Sequence, residues 1–193
     1  MEREARERHD DFTDPESRIM KTGDGFIQGH DGQVIVDEAH QIIIAHGLGN
    51  QSPDSEYFTP MLDRALANGG ATPAVVTADN GYDSETDIGA ALARDIAPLI
   101  APGRERHGAT AFPPCPAPQT MRQVMRGYFD ELDGLALYRK RQTTVEPVFG
   151  QIKNRGFRAL LLRGLEKVRH EWALIAMSPN VSKLHRAWCS TPA

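Results

Sequence analysis

Three acidic residues stand where folding could bring them together for metal-ion chemistry. Asp37 and Asp79 each follow a short apolar run, and Glu146 lies inside a basic segment of the C-terminal third. Aspartates at strand ends point into a crevice, and a helix glutamate can complete such a site. Mg²⁺ prefers hard oxygen ligands, and two such ions about 4 Å apart can activate a nucleophile and stabilise the leaving oxygen of a phosphodiester. The trio therefore predicts metal-dependent chemistry on a phosphodiester.

The charge distribution is uneven along the chain. Residues 138–193 hold eleven Lys/Arg against three Asp/Glu, a balance of +8, whereas residues 1–137 carry −12 of the total of −4. A basic tail on an acidic body is typical of a nucleic-acid-binding surface. A solvated helix surface would give the same count, so charge alone leaves both interpretations open.

Composition predicts one globular domain. The 193 residues are 40% hydrophobic and 25% charged, and no apolar run approaches the roughly 20 residues of a membrane span. The N-terminus has no apolar signal-peptide core, and Cys115 and Cys189 are far apart, so we expect a reducing, cytoplasmic setting. His40 and His46 lie on one strand face but have no third ligand nearby, so a zinc site is not predicted.

Apolar runs and turn residues predict a mixed α/β order. A hairpin is expected over 32–46, with further strands at 74–78 and 96–101. Five helices are expected at about 58–69, 84–94, from 120, 140–155 and 164–177, the second opened by a Ser84-x-x-Asp87 cap. Pro179 should end or kink the last helix, and the Pro-rich stretch 102–118 predicts a loop or insertion before the glutamate helix.

Each acid also has an ordinary structural interpretation. Asp37 stands where a hairpin turn favours aspartate, and Asp79 precedes the turn pair Asn80-Gly81. Glu146 could close a capping box with Thr143 at a helix start. On local grounds these structural roles compete with the catalytic one.

Several motifs together resemble bacterial insertion-sequence transposases of the DDE class. The resemblance covers roughly residues 12–188 and lies in TDPESR (13–18), QVIVD (33–37), ADNGY (78–82), VEPVFGQIK (145–153) and RGLEKVR (163–169). It implies an RNase H-like mixed sheet flanked by helices, in a catalytic domain over 25–188. A polar segment (1–24) would precede that domain and a short tail (189–193) would follow it.

The resemblance also implies roles for individual residues. Asp37, Asp79 and Glu146 would bind Mg²⁺ or Mn²⁺ and catalyse the cleavage and transfer of transposon-end DNA. Lys153, seven residues after Glu146 and on the same helix face, would contact DNA near the scissile end. Gln142 stands where some relatives have arginine. The expected DNA contacts are Tyr138, Arg139, Arg141, Lys153, Arg155 and Arg158.

The implied partners are double-stranded DNA, as transposon ends and target, and a second copy in a homodimer. Relatives generally extend further N-terminally with a region that recognises transposon ends. The alternative is therefore a truncated, catalytically inactive DNA-binding remnant. A third interpretation, a metal-dependent phosphohydrolase of small substrates, fits the basic tail less well.

Overall fold

The computed structural model describes residues 14–22, 25–50, 55–100 and 120–190, and these form a mixed α/β fold, as predicted. The strands are β1 (Arg18–Thr22), β2 (Gly25–Gly29), β3 (Asp31–Val36), β4 (Ile43–Gly49), β5 (Val75–Ala78) and β6 (Ala97–Ile100). The helices are α1 (Ser55–Gly69), α2 (Glu85–Leu92), α3 (Met121–Glu131), α4 (Gly134–Asn154) and α5 (Leu165–Ser190), with a 3₁₀ turn at Asn80–Tyr82.

The strands pair in three separate two-stranded sheets within the described ranges. β1 and β2 are antiparallel, β3 and β4 form the predicted antiparallel hairpin, and β5 and β6 are parallel. Pro98 sits in β6 opposite Val76. The predicted Pro-rich loop at 102–118 lies outside the described residues.

Helix α4 connects two hydrophobic cores. In the first, α1, α2 and α3 surround the β5–β6 pair, with Leu62, Ile88 and Leu99 almost fully buried. In the second, α4 and α5 pack on the β3–β4 hairpin. Tyr138 near the start of α4 belongs to the first core, and Val148 further along belongs to the second. The position of β3–β4 relative to β5–β6 therefore depends on this helix and on α1, which packs in the first core and, through a third cluster, on β4.

Local signals fix several helix starts. Ser84 caps α2 by accepting from the Asp87 N–H at 3.0 Å, which confirms that predicted cap. Thr120 and Gln123 form a reciprocal capping box at α3. Gly134 lets the start of α4 pack closely against α3. A Cβ at this position would lie only 2.4 Å from the Phe129 Cα, so a larger residue would not fit.

The prediction of a capping box between Thr143 and Glu146 is wrong. Helix α4 begins six residues before the predicted position 140, so both residues lie inside it, and Thr143 Oγ1 donates to the Lys140 carbonyl at 2.9 Å. The earlier start buries Tyr138 in the first core. Tertiary packing thus outweighs the local cap signal.

The predicted end of the last helix at Pro179 is wrong, whereas the kink given as the alternative stays a prediction. Helix α5 continues through it to Ser190, and the Pro179 ring is fully buried. A proline removes one helical hydrogen bond. Its burial, together with the bonds that the next residue, Asn180, makes to Ile43 at 2.9 and 2.8 Å, holds this part of the helix on β4.

The N-terminal hairpin was not predicted. β1 and β2 pair across the expected boundary between residues 24 and 25, in a segment whose polar sequence has no strand pattern. Asp14 ties this region to α5, because its carboxylate pairs with His30 at 3.1 Å and accepts from the Gly164 N–H at 3.3 Å. Burial raises the pKa of Asp14, but the hydrogen bonds from His30 and from the Gly164 and Glu16 backbone, together with the charge of His30, outweigh it and leave the pKa below its ordinary value.

No helix among the described residues combines the length and apolar character needed to cross a bilayer.

Candidate active site around helix α4

Asp37 holds the turn that follows β3. Its Oδ2 accepts from the His40 N–H at 2.8 Å, and its Oδ1 accepts from the Ile42 N–H. The carboxylate is 29% exposed. The structural role expected for a turn aspartate is therefore confirmed. Oδ2 also lies 3.5 Å from His40 Nδ1. Because a carboxylate oxygen has two lone pairs, the backbone hydrogen bonds do not by themselves prevent a further ligand.

Asp79 ends β5 in a similar way. Its Oδ1 accepts from the Gly81 N–H at 3.1 Å and caps the short 3₁₀ turn. Its Oδ2 lies 3.9 Å from Arg141 Nη1, and the side chain is 53% exposed. This carboxylate is thus open to solvent and faces a cation from α4.

Helix α4 touches both aspartate turns within four residues. On the Asp37 side, Gln41 Nε2 donates to the Thr143 carbonyl at 3.0 Å, and Lys140 Nζ pairs with Glu38 Oε1 at 2.8 Å. On the Asp79 side, Arg141 approaches the carboxylate itself. The structure therefore brings the two turns, 42 residues apart in sequence, to the same stretch of one helix.

Glu146 lies about one turn further along α4. Its side chain is exposed and makes no hydrogen bond or ion pair with other described residues. Lys153 is exposed on the same continuous helix, and seven residues make almost two turns, so both share a face. Glu146 is thus free to accept a ligand from solvent.

Three carboxylates offer the oxygen donors that Mg²⁺ and Mn²⁺ prefer. The donor types at Asp37, Asp79 and Glu146 therefore fit such an ion. Within the described part of the chain, however, no three His, Cys, Asp or Glu side chains come close enough together to hold a metal. The fold places the acids on elements that contact one another but does not form a closed ligand set.

Tyr138 positions Arg141. The tyrosine is 8% exposed and packs against Phe129 with ring centroids 6.0 Å apart, and the Arg141 guanidinium lies 5.4 Å above the tyrosine ring. Arg141 Nε is buried and has no hydrogen-bond partner among the residues that the structure describes. The contact between Tyr138 and DNA stays a prediction, and its observed role is to support the arginine.

The other predicted DNA contacts lie on the surface. Arg155 Nη1 is 3.4 Å from Ser178 Oγ on α5. These exposed residues are Arg139, Lys153, Arg155 and Arg158. They spread from the first half of α4 into the segment that follows it.

Lys183 is a neighbour of the site that the sequence did not indicate. Its Nζ donates to the Gln41 carbonyl in the turn held by Asp37, although the two residues are 142 positions apart. Burial lowers the pKa of this lysine, and the charge of Asp37 partly opposes that effect. Only the packing of α5 on β4 brings it here, so no local pattern could have found it.

Comparison with known proteins identifies the class to which this helical region is related. Residues 114–185 match the family described as Transposase DDE domain. The match confirms the resemblance to DDE-class transposases and includes Glu146 and Lys153, whereas Asp37 and Asp79 precede the matched segment. No curated protein and no solved structure matches the chain.

Proposed function

We propose that this chain is the catalytic domain of an insertion-sequence transposase that cleaves and joins DNA strands at transposon ends. One observation carries the proposal. Helix α4, which bears Glu146 and lies in the family match, contacts both turns that carry Asp37 and Asp79. Acids of a shared site must be brought together by tertiary contacts of this kind.

An RNase H-like arrangement is part of the proposal. The antiparallel β3–β4 hairpin and the parallel β5–β6 pair supply the strand directions of a mixed sheet, and helices cover both. Asp37 and Asp79 follow β3 and β5 at their C-terminal ends. These features support the fold assignment by strand direction and by the placement of the acids.

Asp37, Asp79 and Glu146 would hold the divalent ions, Mg²⁺ or Mn²⁺. When bound, such ions supply Lewis-acid stabilisation and activate the attacking oxygen in phosphoryl transfer. Asp79 and Glu146 are the more accessible donors, because both side chains are exposed. Asp37 would contribute while its two backbone hydrogen bonds keep the turn in place.

The basic residues of α4 would bind and orient the DNA backbone. Arg139 and Lys153 are exposed, and Arg141 presents an arginine supported by an aromatic ring beside Asp79. Arg and Lys contacts to phosphate supply most sequence-independent DNA affinity. Bacterial chromosomal DNA would place this activity in the cytoplasm.

The test is nicking of supercoiled plasmid in Mg²⁺ or Mn²⁺. We expect the wild type to nick plasmid only with metal and Asp79→Asn to abolish nicking without changing the circular dichroism spectrum. The matched control is Asp95→Asn, because Asp95 is exposed at φ 58°, a conformation that asparagine also tolerates. Equal nicking by Asp79→Asn and wild type would refute the assignment.

A second candidate is a DNA-binding remnant without catalysis. The observation that favours it is the lack of a closed three-carboxylate cluster in the described ranges. Salt-sensitive plasmid binding by the wild type, with no nicking in either metal, would support this alternative over the catalytic one.

A further inference from the structure

Helix α5 carries an exposed row of large apolar side chains. Their exposed fractions lie between 51% and 81%, and the row consists of Leu174, Met177, Val181, Leu184 and Trp188. We call this row the apolar stripe. The opposite face of the same helix packs in the second core through Val168, Trp172 and Ile175. The stripe is therefore not the surface by which α5 docks on its own domain.

The spacing of the stripe is that of a coiled-coil seam. Successive members are three, four, three and four residues apart, which is the a/d pattern of two heptads. An apolar row at this period presents a straight ridge to another helix of the same kind. Contiguous exposed apolar surface of this type marks an interaction site.

We propose that the apolar stripe pairs with the apolar stripe of a second copy of this chain. The positions that flank the seam carry no acidic or basic side chain apart from one histidine; they are Ala173, Ser178, Asn180, His185 and Ala187. Two identical helices can therefore approach without like-charge repulsion and without burying an unpaired carboxylate or ammonium group. A two-fold axis makes such a contact self-complementary.

The expected interface between the two apolar stripes is small, but helix α5 is already folded and held in place before the two copies meet. Ten apolar side chains, five from each copy, remove on the order of 1,000 Å² from water, which is near the lower limit for a specific interface. Helix α5 is already held on the β3–β4 hairpin by Trp172, whose Nε1 donates to the Gln33 carbonyl at 3.3 Å, and by Asn180. Pairing does not have to form the helix, so we expect a reversible dimer in the micromolar range.

The first measurement is sedimentation velocity from low to several hundred micromolar protein. The wild type should shift from monomer to dimer, and Leu184→Glu should weaken the dimer at least about tenfold, because it places two carboxylates in the seam. Leu184 is 69% exposed, so the substitution should not affect folding. The matched control is Leu161→Glu, at an 83% exposed leucine outside α5, which should dimerise like the wild type.

Acrylamide quenching of tryptophan fluorescence in the wild type gives a second readout, because Trp172 is only 7% exposed and the quenchable signal comes mainly from Trp188. Trp188 is 81% exposed in one copy and should become protected as the protein concentration rises. A wild type that stays monomeric throughout, or a Leu184→Glu variant that dimerises equally well, would overturn the proposal. Protection of Trp188 in a monomer would also overturn it, because another segment of the same chain would then cover the stripe.

Discussion

Arg141 is a proposed DNA contact and also a direct neighbour of Asp79. Its Nη1 lies 3.9 Å from Asp79 Oδ2, while its Nε is buried and finds no partner within the described part of the chain. A buried donor without an acceptor is unfavourable by roughly 1–3 kcal/mol. The Arg141 side chain is 26% exposed, so a DNA phosphate would have to contact its exposed nitrogens and not the buried Nε, with the Tyr138 ring holding the guanidinium in place.

Replacement of Arg141 should weaken DNA binding in a salt-dependent way. We expect Arg141→Gln to lower affinity for a labelled duplex and to reduce the slope of log K against log salt by about one, as expected for one lost phosphate contact. Fluorescence anisotropy over a salt series measures both. Arg94→Gln is the control, since Arg94 pairs with Asp63 away from α4. An unchanged slope in Arg141→Gln would exclude a phosphate contact.

Asp87 should give the protein a characteristic pH dependence. It is 2% exposed and accepts from Ser84 Oγ at 2.7 Å; burial raises its pKa and the Ser84 hydrogen bond only partly opposes this. The folded state therefore keeps its proton to higher pH than the unfolded state does. The free energy of unfolding should fall as pH rises from the ordinary aspartate value to the raised one.

Asp87→Asn should remove this decline. Urea denaturation of variant and wild type across mildly acidic to neutral pH would measure it, and the difference in stability should shift in favour of the variant as pH rises. Parallel pH profiles for the two proteins would show that Asp87 is not the group responsible.

At the level of elements, Asn180 links α5 to β4 by two hydrogen bonds. Asn180 Oδ1 accepts from the Ile43 N–H and its Nδ2 donates to the Ile43 carbonyl, directly after Pro179. Asn180→Ala leaves both backbone groups of Ile43 without these partners, so it should lower the free energy of unfolding by roughly 1–3 kcal/mol. Asn154→Ala, at an exposed helix end, is the control and should change stability little. Equal stability of the two variants would contradict this role.

The sequence predicted those elements whose signals are local. The β3–β4 hairpin, β5 and the Ser84 cap follow from apolar runs and turn residues, and all are present. Continuation of α5 through Pro179 and the early start of α4 depend on burial against distant residues. A periodicity argument cannot include such contacts, so these boundaries were wrong.

The same distinction between local signals and distant contacts applies to the candidate site. The turn positions of Asp37 and Asp79 could be predicted because each side chain bonds to its own turn. The ion pairs from α4 and the approach of Lys183 connect residues up to 142 positions apart. They arise from packing of the two cores and have no signature in the sequence.

For the whole molecule, α4 is the shared element of both cores and of the candidate site. It joins the layer that carries Asp37 to the layer that carries Asp79, and it bears Glu146 on its exposed side. The chain is acidic as a whole but basic over α4 and α5, a charge distribution typical of a nucleic-acid-binding segment. Carboxylate geometry and DNA binding should therefore depend on the same helix.

The central claim is that the acids on the β5 turn and on α4 bind the same metal ions, and Mn²⁺ binding followed by electron paramagnetic resonance tests it most directly. Asp37 is less suitable for substitution because it also holds a turn. With a short DNA duplex present, Asp79→Asn and Glu146→Gln should each weaken Mn²⁺ binding by at least about tenfold. Glu131→Gln, at an exposed glutamate of α3, should bind Mn²⁺ like the wild type. Wild-type Mn²⁺ affinity in Glu146→Gln would contradict the shared site.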